Sequence, residues 1–232
     1  MNKGNGVPKK ETDPYAKKKK INPFSPESTF MAILTKIGQL LILNVLWVIS
    51  IIPIITFGTA TCSFYYSVMK SIRRGRSYPV LEYWNSFKRT LGNGVILTIG
   101  FGALTAALLY MRNMAVSLDS DRGKLLNGIY IAILAVIACI LVYLFPVLSR
   151  FTMKLSQMIK LSLVMAIRFL PFTILIIAGT AALIWAWFYF LPIPLILVWP
   201  GAWMYTCTFL IEKALRKYMP PPKEGDDAWY YE

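Results

Sequence analysis

Four long stretches without a single charged residue constrain this chain more than any other feature. No Lys, Arg, Asp or Glu stands between Lys36 and Lys70, Arg89 and Arg112, Lys124 and Arg150, or Arg168 and Glu212. Each stretch exceeds the roughly 18 apolar residues that mark a candidate membrane span. The chain is 56% hydrophobic and 16% charged, where a soluble domain averages roughly 45–50% and about 25%. Gly and Pro at 14 each and only three Cys exclude collagen, disordered and disulfide-scaffold readings. The fold class that remains is all-α, a polytopic helical membrane bundle.

The first block, Ile37 to Met69, has 33 residues and would form a rod of about 50 Å against a hydrocarbon core of about 30 Å. Pro53, followed by Thr56, Gly58 and Thr59, breaks it, and hydroxyls there can cap a second helix. A short hairpin is expected, Ile37 to Ile52 outward and Phe57 to Met69 back, either crossing twice or re-entering. Thr90 to Met111 reads as one span, in which Gly102 with Ala106 and Ala103 with Ala107 put small residues on one face for close helix approach. Leu125 to Ser149 is another. Phe169 to Ile211 is long enough for two, divided by Pro192 and Pro194 and flanked by Trp185, Trp187, Tyr189, Trp199, Trp203 and Tyr205 as an aromatic belt.

Cytoplasmic segments are enriched in Lys and Arg. The tail to Lys36 carries 8, Lys70 to Arg89 carries 6, Arg150 to Arg168 carries 4, and the segment after Glu212 carries 4, against 3 in Arg112 to Lys124. Six passes with both termini inside satisfy this count; a first block that crossed only once would leave five. On this reading residues 1–23 are a basic, disordered cytoplasmic tail rather than a cleaved signal, 24–218 the transmembrane domain, and 219–232 a Pro-rich, acidic cytoplasmic tail.

Two segments between spans are amphipathic. Val80, Trp84, Phe87 and Leu91 form a stripe after Pro79, which suits a first helical turn. Phe151, Leu155, Met158 and Ser162 form another between Arg150 and Pro171. Both are expected as cytoplasmic surface helices that either rest on anionic lipid or dock a partner. The docking surface would comprise Arg73, Arg74, Trp84, Lys88, Arg89, Arg150, Lys154 and Arg168.

Chemistry is sparse. There is no His, the commonest general base and metal ligand. Cys62, Cys139 and Cys207 lie in separate blocks without a C-x-x-C pair, so neither a metal site nor a cofactor is expected. No charged residue lies within a block, which disfavours proton-coupled carriers, and no phosphate-binding Gly-rich loop is present. The basic tail, with few aromatics, reads as a topology signal rather than a nucleic-acid site. Asn44, Thr56, Thr59, Thr61 and Ser63 form the one polar intramembrane cluster, either as packing hydrogen bonds or as the lining of a solute path.

Several motifs carry a family resemblance. The entry Lys36-Ile-Gly-Gln-Leu-Leu-Ile-Leu-Asn44-Val-Leu-Trp47, the turn Ile52-Pro53-Ile-Ile-Thr56-Phe-Gly58-Thr59, the pair Tyr65-Tyr66, then Ser86-Phe87-Lys88 and Ala166-Ile167-Arg168-Phe169-Leu170-Pro171 resemble the YesL family of bacterial multi-pass membrane proteins of unknown function. The resemblance implies an accessory role beside ABC-type carbohydrate uptake systems, with importer permeases as partners, and carries over no catalytic residue. The expected function is therefore a non-enzymatic plasma-membrane protein assisting such an importer. The alternative is a stand-alone facilitator or carrier whose path the first hairpin lines.

Overall fold

The computed structural model describes residues 29–75, 78–118, 120–190 and 199–219, the side chains of 29, 187–190 and 199 aside. The expected tails and the Pro192/Pro194 turn, with Trp187, Tyr189 and Trp199 of the aromatic belt, lie outside what is described. Among the described residues, those from 37 onward form one compact unit, and 29–36 fall outside it.

The described residues are helical: α1 (Thr29–Ile51), α2 (Phe57–Ser67) continuing as a π-helical turn (Val68–Arg73), α3 (Pro79–Ser117), α4 (Asp121–Arg150), α5 (Leu155–Arg168), α6 (Leu170–Phe190) and α7 (Trp199–Leu215). Local chemistry accounts for the ends. Pro79 opens α3 where no N–H is needed. The Ser120 hydroxyl accepts from the Gly123 N–H to cap α4, with Asp121 in its first turn and Arg150 in its last, each complementing the helix dipole. Pro171 sits in the first turn of α6, and α5 meets α6 at 95° across Phe169.

Three helices are long and apolar enough to cross a membrane, Phe30–Ile51, Pro79–Ser117 and Asp121–Arg150, or four if the bent α5–α6 pair counts as one broken span. The described residues thus supply fewer crossings than the six expected. One reason is α2, whose 11 residues rise only about 17 Å against a hydrocarbon core of about 30 Å; α7, with 17 residues, is not among the candidate spans either.

The two flanking contacts of α3 and α4 set a scale. Arg89 donates to the Ser149 carbonyl at one end, and Arg112 donates to Asn127 at the other. The intervening rise is about 35 Å, enough for a full crossing. The turn before α2 reaches only the level of Thr98, whose hydroxyl accepts from the Gly58 N–H at 2.9 Å, about 14 Å from Arg89.

Two further expectations change. The amphipathic stretch after Pro79 is no separate surface helix: it continues without a break into the span as the 39-residue α3. The small-residue face of Gly102, Ala103, Ala106 and Ala107 is exposed, and a Cβ at Gly102 would meet nothing within 4 Å. Close approach occurs about two turns earlier, at Gly94. A Cβ there would strike the Thr59 hydroxyl and stand 3.0 Å from the Thr59 Cα, so α2 packs backbone against backbone on α3.

Buried side chains gather toward the end marked by Arg89 and Arg150. Tyr65, Met69, Tyr143, Leu144, Val147, Met158, Met165 and Leu215 form one cluster, and Leu43, Phe64, Val68, Ile72 and Tyr83 a second. Farther along α3 and α4, Ile96, Ile99, Leu104, Tyr110, Leu125 and Val136 are exposed. Contiguous apolar surface of this kind needs lipid or another protein to cover it.

Candidate functional site

Three guanidiniums and a tyrosine hydroxyl converge on Glu212, the first charge after the longest apolar block. Its carboxylate is 3% exposed and stands 3.2 Å from Arg150 and 3.5 Å from Arg74, themselves 3% and 9% exposed. Tyr65 donates its hydroxyl to the same carboxylate at 3.2 Å, and the half-exposed Arg216 approaches to 3.9 Å. Arg73, beside them, donates to the Thr208 carbonyl at 3.2 Å and lies over the Phe209 ring at 4.1 Å. The cluster therefore ties α2 and its π-helical turn to α4 and α7. A buried carboxylate is costly unless paired and hydrogen-bonded, and here it has both kinds of partner.

A second pair, Lys70 and Glu82 at 2.9 Å, fastens the π-helical turn to the first turn of α3. Burial would lower the Lys70 ammonium, but the Glu82 hydrogen bond and charge, with Tyr66, outweigh it and hold the group above its ordinary value. π-Helical turns break the regular register of a helix and are frequent at functional sites; this one carries Lys70 and Arg73 into separate contacts.

The sequence-derived docking surface divides accordingly. Arg73, Arg74 and Arg150 turn inward to the Glu212 cluster and its neighbours, so they do not belong to an outward-facing surface. Lys88, Arg89, Lys154 and Arg168 are exposed, and Trp84 is 42% exposed. Arg89 also lies over the Tyr66 ring at 5.0 Å, and Arg168 donates to the Tyr218 hydroxyl at 3.3 Å. These contacts bring charged groups of α3, α4, α5 and the end of α7 together. Glu212, Tyr65 and Arg216 were missed. The available signal was a lone carboxylate closing a 43-residue apolar block.

The polar hairpin cluster is directed inward. Asn44, Thr59 and Ser63 are fully buried. Ser63 donates to the Thr59 carbonyl at 2.8 Å and Thr59 to the Leu91 carbonyl at 3.5 Å. Thr56 donates to the Ser50 carbonyl at 2.5 Å, and the Trp47 indole donates to Thr61 at 3.4 Å. The turn also bonds to itself, through Ile52 to Ile49, Ile54 to Ile51, Ile55 to Pro53 and Phe57 to Ile54. Ile54 has φ 54°, a strained conformation for a β-branched residue.

Among the described residues no group of three or more His, Cys, Asp or Glu is arranged to hold a metal ion. Cys62, Cys139 and Cys207 are free thiols.

The family model described as "Protein of unknown function, DUF624" matches residues 40–111, which contain the α1–α2 turn, the Gly94 contact and Arg89. The chain is also 27% identical over 154 residues to the uncharacterized protein YesL of Bacillus subtilis, covering 65% of this chain and 72% of that protein. No solved structure matches the chain. Together the family match and the likeness to YesL support membership of the YesL family.

Proposed function

We propose that this protein is a non-enzymatic, multi-pass component of a bacterial plasma membrane that assists an ABC-type carbohydrate importer. The observation that carries the reading is the distribution of charge. The apolar runs of α3 and α4 lie open for lipid, while the buried ion pairs collect at one end, where the Glu212 cluster braces α4, α7 and the π-helical turn. Outside that braced core Trp84, Lys88, Lys154 and Arg168 are exposed, aromatic and basic groups suited to the cytoplasmic side of a partner. The sugar-import part rests on the family resemblance alone.

In this reading α1 and α2 enter the bilayer from the basic side and turn back about halfway. Backbone that turns within hydrocarbon must satisfy its own polar groups, and the hydrogen bonds of residues 49–58 supply such partners. A carrier path along this hairpin has less support, because Asn44, Thr59 and Ser63 are closed off from any surface. Catalysis is likewise disfavoured: the buried carboxylates Glu82 and Glu212 are both engaged by cations.

Purification from native membranes tests the assignment. An accessory protein retains importer permease subunits, and alone in liposomes it passes no sugar. Sugar flux through the protein by itself would establish the carrier instead.

A further inference from the structure

Next to the braced core, a half-open cleft of about 600 Å³ lies between the charged turn of α3 and the elbow joining α4 to α5, with Arg89, Arg150 and Lys154 all on its wall. No carboxylate lines it; its other polar groups include Asn93, Thr152 and Gln157, and Phe151 and Met153 give it an apolar side. Arg150 is fixed from behind by Glu212 at 3.2 Å, and Arg89 is braced by the Ser149 carbonyl and the Tyr66 ring. The Arg89 guanidinium is thus held in place before any ligand arrives, while the Arg150 side chain, only 3% exposed, adds its charge from behind the wall. Lys154 is exposed and begins α5, whose first-turn N–H groups favour an anion.

Charge balance points the same way. Glu212 faces Arg74, Arg150 and Arg216, with Arg73 nearby, so one carboxylate meets several guanidiniums and a net positive charge remains. A concave site with such an excess concentrates anions, and planar guanidiniums match phosphate oxygens well.

We propose that this cleft binds a phosphate group. Depth indicates its source. Arg89 and Arg150 are the charges that bound the apolar runs 90–111 and 125–149, the level at which a bilayer presents its headgroups, and the apolar Phe151 and Met153 stand beside them. An anionic phospholipid headgroup therefore suits the cleft better than a soluble phosphate. The inference is independent of the importer role.

The test measures binding of phosphatidylglycerol to the full-length protein in a phosphatidylcholine background, and in parallel stabilisation by inorganic phosphate. Each basic group near an anionic headgroup is worth about fivefold in affinity. Lys154→Gln should weaken phosphatidylglycerol binding about fivefold and R89Q/K154Q about 25-fold, with Arg89→Lys recovering part of the loss. Lys160→Gln, which removes an equal charge from the same helix away from the cleft, should change nothing. Thermal unfolding in phosphatidylcholine alone separates misfolded variants from weakened binders, and Lys154→Gln removes an exposed side chain. A phosphatidylglycerol preference without response to inorganic phosphate assigns the site to lipid. A response to inorganic phosphate that Lys154→Gln abolishes assigns it to a soluble phosphate ligand. Equal losses in Lys154→Gln and Lys160→Gln, or none in either, overturn the proposal in favour of a merely basic surface.

Discussion

Replacing Glu212 by Gln removes the charge on which the basic end is built while keeping its shape. The carboxylate and the Arg150 guanidinium are each 3% exposed and 3.2 Å apart, and Arg74 at 3.5 Å is 9% exposed, so screening by water is slight. Removing one partner of such a buried pair costs about 3–5 kcal/mol, since the remaining charge is left uncompensated. Arg216, at 3.9 Å and half exposed, adds little. In a chain of this length each kcal/mol shifts the melting temperature by about 2–4 °C, so a loss of roughly 6–20 °C is expected for the detergent-solubilised protein. Intrinsic fluorescence reads it directly. The double variant R150M/E212Q should lose less than the sum of the two single variants, because the pair is coupled. A shift below about 2 °C, or strict additivity, would refute a structural role for the cluster.

Other outcomes follow from particular contacts. Gly94→Ala should destabilise strongly, because its Cβ would meet the Thr59 backbone, whereas Gly102→Ala points into open space and should be neutral or gain a few tenths to about 1 kcal/mol of helix propensity; thermal unfolding of the two variants compares them. In a Cys-free background, a cysteine at Ile54 should resist a membrane-impermeant maleimide from both sides, while one at Ser120 should react from outside the cell. Ready labelling of Ile54 from outside would mean that the first block crosses twice. The Lys70–Glu82 pair gives a pH signature: with the folded ammonium held above its ordinary value of 10.5, its contribution is complete below that pH and is lost as pH climbs through the higher folded value. E82Q should erase this alkaline component of an unfolding titration.

Spans and turns were legible in the sequence wherever one residue type dominates the physics. The absence of charge located α1, α3 and α4, and Pro53 with Thr56 and Gly58 put the first turn at residues 52–56, where α1 ends and α2 begins. Periodicity could not reveal that the amphipathic stretch after Pro79 and the span beyond it share one helix, because an α-helix continues unless something breaks it and nothing between Leu91 and Gly94 does. Small residues misled for a related reason. Gly102 and Gly94 look alike in sequence, and only the position of α2 decides which one is needed.

The candidate site was half legible. Lys and Arg counts singled out the segments that carry the cluster's guanidiniums, yet the inward turn of Arg73, Arg74 and Arg150 depends on Glu212, which lies 62 residues from Arg150 and 138 from Arg74. Sequence spacing carries no trace of a pairing so distant. The hydroxyls of the first hairpin read in sequence as either packing or lining, and their partners, Leu91, Ser50 and the Trp47 indole, come from the hairpin itself and from the neighbouring α3.

The most direct test of the central claim is sugar flux in liposomes containing the importer with and without this protein, beside liposomes containing the protein alone. An accessory role predicts ATP-dependent uptake that rises when the protein is present and no flux from the protein by itself. Uptake by the importer that ignores the protein, or flux through the protein alone, would contradict it.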